Sequence, residues 1–562
     1  MAETEDNQAH LNSLPGYPRQ GSIDMLSGDR FYFDSNVVFK MPADVFQGVA
    51  NDPLALSKYV TNFINQHYNN QMKRLITLER YYIGDNDIHY WRSHKGKSRA
   101  DNRIASGIPS YITNIRVGYS LGNAIKFQFN KSDNSGNGDD LTNAITQFNT
   151  GADESYHEKV MKKHLSVTGR SFELLYVKQD STDVAVKALD PSNAFVVYDT
   201  TVEQHSLFAV YYYPVTFMGK QQWYVTVYTA DNIYYYKSVG APTIPLEVDH
   251  AEPHFFGGVP ITEFINNDER MGDWERDLDY IDSYDKALSE MANSQEDFNN
   301  AVLVLTGDVE TNKDGHPDIN RHNLIMWLKP KIVPGMAGVA PTVIQPTASY
   351  LAKQLPAADW KQYIDQLMND IHKYTNTPDV NDANFASNAS GVAMSYKLWG
   401  SDQERAIAES LYMRGLMRRY RLLGNYWEKE GTISSADEVE YITPLFTPNL
   451  PKNDDAIVTN IKALSDTGSF SDETLHDMAE PVTGIKPDEE ASRIKDETTN
   501  DPNRISMPID AQPNQGQPVV VDQTQSAATN QPDSAANPPA SDTSSAASAA
   551  NQVNGGGSNG TT

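Results

Sequence analysis

The sequence predicts an α+β protein in which long helices accompany a mostly antiparallel β-sheet. Residues 171–247 are rich in β-branched and aromatic side chains, and turn residues such as Asp190-Pro191 and Gly219 divide them into short strands. On both sides of this block, apolar residues recur at steps of three and four, the period of an amphipathic helix. Helical stretches around one strand-rich block give the α+β class.

The composition narrows the function classes. Its 562 residues are enough for several domains. A net charge of −28 argues against a protein that holds nucleic acid by its average surface, because phosphate neutralisation needs basic side chains. The lack of cysteine excludes disulfides and thiolate catalysis. The acidic first ten residues are unlike a secretory signal, and the longest aliphatic run, Ala301–Leu305, is far too short to span a membrane.

The first third of the chain predicts an arm, several helices and then the sheet. Residues 1–40 have no steady period and are predicted to be a mobile arm. A helical pattern runs from Asp52 to Tyr82, and a helix over Ser110–Leu121 and a strand over Ala124–Phe129 follow. A further helical stretch, Leu141–Leu165, leads into the strands.

A long acidic helix is predicted over Asp268–Asn300, with a length of roughly 50 Å at 1.5 Å per residue. It carries eleven acidic residues against three basic ones, so its local net charge is −8. A solvated outer face would account for this charge. The length and the one-sided charge also leave room for a repelling surface.

Residues 301–356 predict a small unit of strands and loops, and a helix over 357–374 follows. The next stretch, Thr375–Met394, is polar and has no Lys or Arg, and loops of this length in a compact domain are usually functional or disordered. A helix then runs to about Glu430, with arginines toward its C-terminal end that the helix dipole alone would favour. Short helices occupy 455–497, and the low-complexity residues after 498 are predicted to be disordered.

No catalytic, metal or cofactor motif rises above background. A phosphate-binding G-x-x-x-x-G-K-[ST] loop is absent from the sequence. His157-Glu158 is followed by the next histidine only at His164, which is the wrong spacing for a zinc protease helix. The segment from Glu310 resembles the start of a calcium loop, but Arg321 stands where a bidentate glutamate is required. We therefore expect a protein without enzymatic activity and without a cofactor.

Several stretches carry a family resemblance. They are YYIGDNDI (81–88), ADNRI (100–104), ALDPSNAFVVYD (188–199), NDERMGDWERDLDYIDSYDKALSEMANSQEDFNNAVLVLTG (267–307) and PDVNDANFASNASGVAMSYKLWG (378–400). Together with the order of elements, they resemble portal proteins of tailed bacteriophages, most closely those of long-tailed phages of Gram-positive bacteria. The resemblance spans roughly residues 50–500. The N-terminal arm and the tail after 498 depart from it.

The resemblance implies a portal architecture with these parts: a mobile arm (1–40), a wing of helices and mostly antiparallel sheet (41–267), a first stem helix (268–300), a clip (301–356), a second stem helix (357–376), a tunnel loop (377–390), a long wing helix and return (391–444), a helical crown (445–500) and a disordered tail (501–562). Such subunits form a ring, twelve in the capsid, at one vertex. Double-stranded DNA is packaged through that ring and later ejected.

The same resemblance implies the site residues. The tunnel loop would line the narrowest part of the channel with Val380, Asn381, Asp382, Asn384, Phe385 and Asn388. Stem acids Glu275, Asp279 and Asp282 are expected to face the channel. DNA must slide, so the wall should repel phosphate rather than bind it with Lys or Arg. A flexible connector without a channel role is the alternative for the loop, and the stem acids could instead meet a neighbouring subunit's arginines.

The implied partners are other copies of the chain, the terminase large subunit, a head–tail adaptor, and the major capsid and scaffolding proteins, with no membrane. The implied location is the portal vertex of the virion, and the host bacterial cytoplasm during assembly. Two alternatives remain, namely another structural protein of the capsid vertex or tail, and a DNA-packaging nuclease. The missing phosphate loop and the lack of a convincing metal cluster argue against the nuclease.

Overall fold

The computed structural model describes residues 17–19, 21–23, 36–92, 100–130, 138–299, 302–306, 308–309, 328–338, 340–345, 347–351, 357–380, 391–449, 454–485 and 487–500. The chain divides into two compact units, 1–451 and 452–562. Most of the predicted arm, the calcium-like turn at 310–321, loop residues 381–390 and the tail 501–562 lie outside the described residues. Among the described helices, none combines the length and the apolar character that crossing a bilayer requires.

The first unit begins with short elements and three longer helices. In order they are β1 (Phe39–Lys40), α1 (Ala43–Gln47), α2 (Pro53–Gln66), a π turn (His67–Gln71), α3 (Met72–Tyr82), a 3₁₀ turn (Asp87–Tyr90) and α4 (Ile108–Leu121). Asp52 caps α2 by accepting hydrogen bonds from the amides of Leu54 and Ala55, and Pro53 suits the first turn. The single helical stretch predicted over 52–82 is therefore interrupted by a π turn.

Two larger sheets form the β-rich part. The strands are β2 (Lys126–Phe129), β3 (Arg170–Val177), β4 (Val184–Leu189), β5 (Ala194–Tyr198), β6 (Ser206–Phe217), β7 (Lys220–Tyr228), β8 (Asn232–Val239), β9 (Glu247–Pro253) and β10 (Ile261–Ile265). One sheet has the order β1-β5-β6-β7-β8-β9 and the other β10-β3-β4, and β2 belongs to neither of them. Only the β1–β5 pairing is parallel within these two sheets, as the described residues show them, so the mostly antiparallel sheet is confirmed.

The packing of helices on these sheets follows the apolar periodicity of the sequence. Helix α2 buries Leu56, Val60 and Ile64, and α3 buries Met72 and Ile76, in one cluster with aromatic residues of the larger sheet. Two further helices, α5 (Asp139–Gly151) and α6 (Glu154–Thr168), precede the smaller sheet. Apolar burial of this kind is the main source of stability in such a layered unit.

A helical hairpin follows the sheets. A 3₁₀ turn (Glu275–Asp277) leads into α7 (Leu278–Asn299), and α8 (Ala357–Tyr374) returns. The predicted helix over 268–300 therefore begins ten residues later than expected, which reduces its length from roughly 50 Å to roughly 33 Å. The reason is local. The side chain of Asn267 accepts from the amide of Met271, and Arg270 adopts a left-handed backbone (φ 57°), which a helix does not tolerate.

Small strand pairs lie between the two hairpin helices. The described strands are β11 (Val302–Thr306), β12 (Asp308–Val309), β13 (Leu328–Lys329), β14 (Lys331–Val333), β15 (Thr342–Ile344) and β16 (Thr347–Leu351). They pair as β11–β16, β12–β13 and β14–β15, all antiparallel. The strand-and-loop character predicted for 301–356 is therefore present in the described part of that range.

The first unit closes with the long helix α9 (Gly391–Glu430), a 3₁₀ turn (Ala436–Tyr441) and β17 (Ile442–Leu445), which pairs with β2. Helix α9 ends at Glu430, as its sequence pattern predicts. Tyr412 and Leu416 of α9 pack against Phe264 of β10. The second unit has three described helices, α10 (Asp454–Asp466), α11 (Asp472–Thr483) and α12 (Pro487–Asn500). The mixture of helix and antiparallel sheet confirms the α+β class.

Candidate functional site

The two helices of the hairpin run antiparallel and leave a groove between them. Tyr280 near the start of α7 lies beside Tyr374 at the end of α8, with ring centroids 5.4 Å apart. Farther along the hairpin, a cavity of about 350 Å³ separates the two helices. It is lined by Ser283, Lys286, Ala287 and Glu290 of α7 and Asp359, Trp360 and Tyr363 of α8. The hairpin thus leaves the sheet-containing part of the first unit through one helix and returns through the other.

Glu275, predicted to face a channel, is buried in the protomer. Its carboxylate accepts two hydrogen bonds from the Arg74 guanidinium of α3, at 2.7 and 2.6 Å, and one from the amide of Gly272 at 2.9 Å. Both side chains are almost fully buried, at 2% and 3% exposure. The prediction was wrong for this residue, because a carboxylate enclosed with its counter-ion cannot also present its charge to a channel.

The prediction of a channel-facing side chain was also wrong for Asp282. Its side chain points to the interior of the unit and accepts a hydrogen bond from the Tyr81 hydroxyl at 2.6 Å. One turn later, Asp285 accepts from the side chain of Asn86 at 2.6 Å and from the amide of Ser106 at 2.8 Å. Burial raises the pKa of Asp285. These acids attach α7 to the segments around α3 and α4.

Asp279 is exposed, as a channel-facing residue would be. Among the acids of the 268–300 stretch whose burial the structure describes, four others are also exposed, namely Asp268, Glu269, Glu290 and Glu296. Asp277 is mostly buried, and burial together with the charge of Glu404 raises its pKa to about 6 although Arg276 acts to lower it. The negative surface of this stretch is therefore smaller than its composition indicates.

The start of the predicted tunnel loop is held by a backbone network. Asn376 has a left-handed backbone (φ 47°) just beyond α8, and the amide of Thr377 returns to the carbonyl of His372 at 3.0 Å. This 6→1 bond is the pattern of a Schellman helix end. His372 Nδ1 donates to the carbonyl of Thr377 at 2.9 Å, and the side chain of Thr375 is buried. Residues 375–377 are therefore a defined structure rather than a loose connector.

Two side chains of helix α4 also hold residues 375–380 in place. The Tyr111 hydroxyl donates to the carbonyl of Pro378 and accepts from the amide of Val380, both at 3.1 Å. The buried Arg116 donates to the carbonyl of Thr375 and, at 2.5 Å, to the carboxylate of Glu404 on α9. Val380 is the last described tunnel-loop residue. The other five, Asn381, Asp382, Asn384, Phe385 and Asn388, lie outside the described residues.

Sequence reasoning missed Tyr111 and Arg116. One signal was available, since Arg116 stands on a mostly apolar stretch, IPSYITNIRVGYSL, where a charge is unexpected unless it has a partner. Its partners lie 259 and 288 positions away in the sequence, so they cannot be read from local spacing.

The arginines at the end of α9 also have specific roles. Arg419 is fully buried and pairs with three carboxylates, those of Glu154, Glu158 and Glu173. Burial acts to raise the pKa of Glu173, but Arg419 and His157 outweigh it and lower that pKa to about 2. Arg418 instead donates to the carbonyls of Val259 and Ile261. The cluster around Arg419 joins α9 to α6 and β3, which is a structural function.

The two histidines of the rejected zinc motif, His157 and His164, have the following surroundings. His157 Nε2 donates to the carboxylate of Glu173 at 2.8 Å, and burial lowers the pKa of His164 to about 4. Within the described residues, no group of three or more His, Asp or Glu side chains is placed to hold a metal ion.

The chain matches known proteins over most of its length. Residues 61–503 match the family model described as "Phage portal protein, SPP1 Gp6-like". A relative, the portal protein of Bacillus phage SPP1, is 24% identical over 442 residues, which cover 74% of this chain and 82% of the relative. A solved structure described as "Neck of empty GTA particle computed with C6 symmetry" is 11% identical with a TM-score of 0.35, and the match covers 68% of this chain and 91% of that one.

Proposed function

Because this chain belongs to the family of phage portal proteins of the SPP1 Gp6-like type, we propose that it forms a closed ring, of twelve subunits in the capsid, around a DNA channel. A portal protein is a structural component of the virion, located at the capsid vertex through which the DNA passes. The family match over residues 61–503 is the observation that carries the proposal. Subunit contacts in such a ring are heterologous and close by rotation.

The parts of the ring are assigned by the order of elements. Helices α7 and α8 are the two stem helices, and the strand pairs between them form the clip. Residues 41–267 and 391–444 form the wing, 377–390 the tunnel loop and 445–500 the crown. The antiparallel hairpin, with its strand pairs at the far end, supports the stem and clip assignment.

The channel is proposed to guide DNA without binding it strongly. Each phosphate contact by a Lys or Arg would release counter-ions and become a point of retention. Asp379 and Asp382 are the only charged residues of the 377–390 stretch, so they repel phosphate, and the amide side chains of the asparagines offer weak contacts that do not depend on base sequence. Exposed Asp279 is the one stem acid of the predicted set that is still proposed to face the channel.

The partners are proposed from this role. The clip end meets the terminase large subunit during packaging in the host cytoplasm and a head–tail adaptor afterwards. The wing contacts the major capsid and scaffolding proteins. Catalysis is assigned to the motor rather than to this chain, in keeping with the structural character of the family.

The decisive experiment is the mass and symmetry of the purified full-length protein. Twelve chains of 62.6 kDa give a ring of about 750 kDa, and negative-stain electron microscopy should show a central channel. A thirteen-fold ring outside the capsid would still support a portal. A stable monomer with DNA cleavage that depends on divalent cations would instead establish the nuclease alternative.

A second experiment tests the tunnel loop. Deleting residues 381–388 should leave ring assembly and the number of subunits unchanged and reduce DNA packaging or retention in assembled particles. Truncation after Pro502 is the matched control, since the sequence predicts that the removed tail contributes nothing to the fold and therefore nothing to thermal stability. Loss of the ring in the loop deletion would contradict the channel role and assign the loop to assembly.

A further inference from the structure

Helix α4 lies beside both chain segments that border the proposed tunnel loop. On one side, Tyr111 and Arg116 hold residues 375–380, which leave α8. On the other side, Arg116 holds Glu404, and the Tyr119 hydroxyl donates to Asp402 at 2.6 Å, both on α9. The residues that precede the loop and the helix that follows it are thus tied to one rigid element of the wing.

We infer that Tyr111 and Arg116 are positioning residues for DNA passage, because they fix the place at which the chain leaves α8 for the loop. The inference rests on the proposed channel role of the segment after Val380. Neither residue needs to touch DNA. Each acts through the backbone of residues 375–380.

The chemistry of Arg116 suits this role. One guanidinium nitrogen, Nη2, reaches both the carbonyl of Thr375 and the carboxylate of Glu404, so the end of α8 and the body of α9 share a single donor group. Glu404 also accepts from the side chain of Asn376 at 3.3 Å, which closes the junction. A guanidinium can hold two acceptors in a fixed fork, whereas the ammonium of lysine is a compact point charge on a flexible stem.

Tyr111 holds the residues that follow those held by Arg116. Its hydroxyl is the donor for the carbonyl of Pro378 and the acceptor for the amide of Val380, so it closes a small ring with the backbone. Its ring meets His372 edge to face, with centroids 5.9 Å apart. Replacing Tyr111 by Phe removes both hydrogen bonds and retains the ring contact. This substitution therefore isolates the anchoring function.

The space beside the junction allows movement once the anchors are lost. A cavity of about 220 Å³ lies between α4, residues 378–380 and α9, and it is lined by Ile115, Arg116, Tyr119, Pro378, Val380 and Leu398 among others. Side chains next to a void lack packing partners on that side. Hydrogen bonds, rather than close packing, therefore hold residues 378–380 in place.

The test compares Tyr111→Phe and Arg116→Lys with two matched controls. Tyr426→Phe removes a tyrosine hydrogen bond to the carbonyl of Thr182, and Arg421→Lys alters an exposed pair with Glu440, both away from the loop. Hydrogen–deuterium exchange of the assembled protein should be about tenfold faster at residues 377–380 in the first two variants and unchanged there in the controls. Particles assembled with Tyr111→Phe should package or retain less DNA although their ring mass is normal.

Two results would overturn the inference. Unchanged exchange at residues 377–380 in Tyr111→Phe would show that the hydroxyl does not hold the segment. Faster exchange with wild-type DNA content would show that anchoring does not matter for DNA passage. The exchange measurement needs no DNA, so its outcome does not depend on the proposed function. The proposed function fails instead if the wild-type protein forms no ring.

Discussion

Arg74 and Glu275 form a buried, two-pronged ion pair, with Nε–Oε1 and Nη2–Oε2 distances of 2.7 and 2.6 Å. Arg74 lies on α3, and Glu275 precedes α7, the first helix of the hairpin. Arg74 also donates to the carbonyl of Thr168 at 3.0 Å. The pair therefore fixes the base of the hairpin to α3 and to the end of α6.

Glu275→Gln should reduce the free energy of unfolding by about 3 kcal/mol or more, because it leaves the Arg74 charge buried without a counter-ion. Urea denaturation measures this loss. The control is Glu269→Gln, where the partner Arg276 is 3.6 Å away and both side chains are more than half exposed. That substitution should cost less than about 1 kcal/mol. Equal losses in the two variants would contradict the structural role assigned to Glu275.

Gly169 ends α6 with a left-handed backbone (φ 77°), and a Cβ at this position would overlap the backbone of Arg270 and Met271. Gly219 has nearly the same backbone (φ 74°) in the β6–β7 turn, with no neighbouring heavy atom within 4 Å of such a Cβ. Gly219→Ala should therefore cost only the backbone strain, about 1–2 kcal/mol.

Gly169→Ala should cost about 2–5 kcal/mol, since steric overlap adds to the same strain. Differential scanning calorimetry or urea denaturation of the two variants measures the difference. A Gly169→Ala variant as stable as Gly219→Ala would mean that residues 270–271 yield without cost and that the close approach does not fix the start of the hairpin.

The regular elements were predictable because their signal is local. The apolar period of three and four gave the ends of α8 and of α9, which close at Tyr374 and Glu430. The β-branched and aromatic density of 171–247 gave the antiparallel sheet. In these stretches, packing reinforces what each short window of sequence already favours.

The roles of the acids in α7 were not predictable from local pattern. Glu275 and Asp282 look like solvated charges in the sequence, but the partners that bury them, Arg74 and Tyr81, are each 201 positions away. The start of α7 was missed for a related reason. Asn267 and Arg270 form a local turn that a count of apolar spacing does not detect.

Arg419→Met should be strongly destabilising at neutral pH, because it leaves the carboxylates of Glu154, Glu158 and Glu173 buried together without their cation. Arg419 acts to lower the pKa values of Glu158 and Glu173, so both rise when it is removed, and the folded variant then binds more protons than the unfolded chain. The loss of stability relative to wild type should therefore shrink as the pH falls from about 8 to about 5.

The control for Arg419→Met is Arg421→Met, on the same helix. Arg421 pairs with Glu440 at 2.6 Å, but both side chains are more than half exposed. Its effect should stay under about 1 kcal/mol. Urea denaturation at several pH values measures both. A loss for Arg419→Met that does not change with pH would show that the buried carboxylates are not the source of the instability.

Glu79 of α3 gives a pH dependence of the same sign in the wild-type protein, because burial and the charge of Asp190 raise its pKa to about 7 although Lys163 acts to lower it. Between the unfolded value of about 4.5 and about 7, the folded state binds more protons at this group than the unfolded state does. The contribution of Glu79 to stability therefore decreases as the pH rises through this window.

Glu79→Gln removes the titration at this position, so the variant should gain stability relative to wild type as the pH rises from about 5 to about 8. The comparison is made by urea denaturation at each pH, with the exposed Glu269→Gln as the control for the loss of a carboxylate. A difference between Glu79→Gln and wild type that is constant over this range would contradict a raised pKa. Any pH dependence of the stability of the first unit near neutral pH would then have to be assigned to other titrating groups, of which Asp277, with its pKa of about 6, is the next to test.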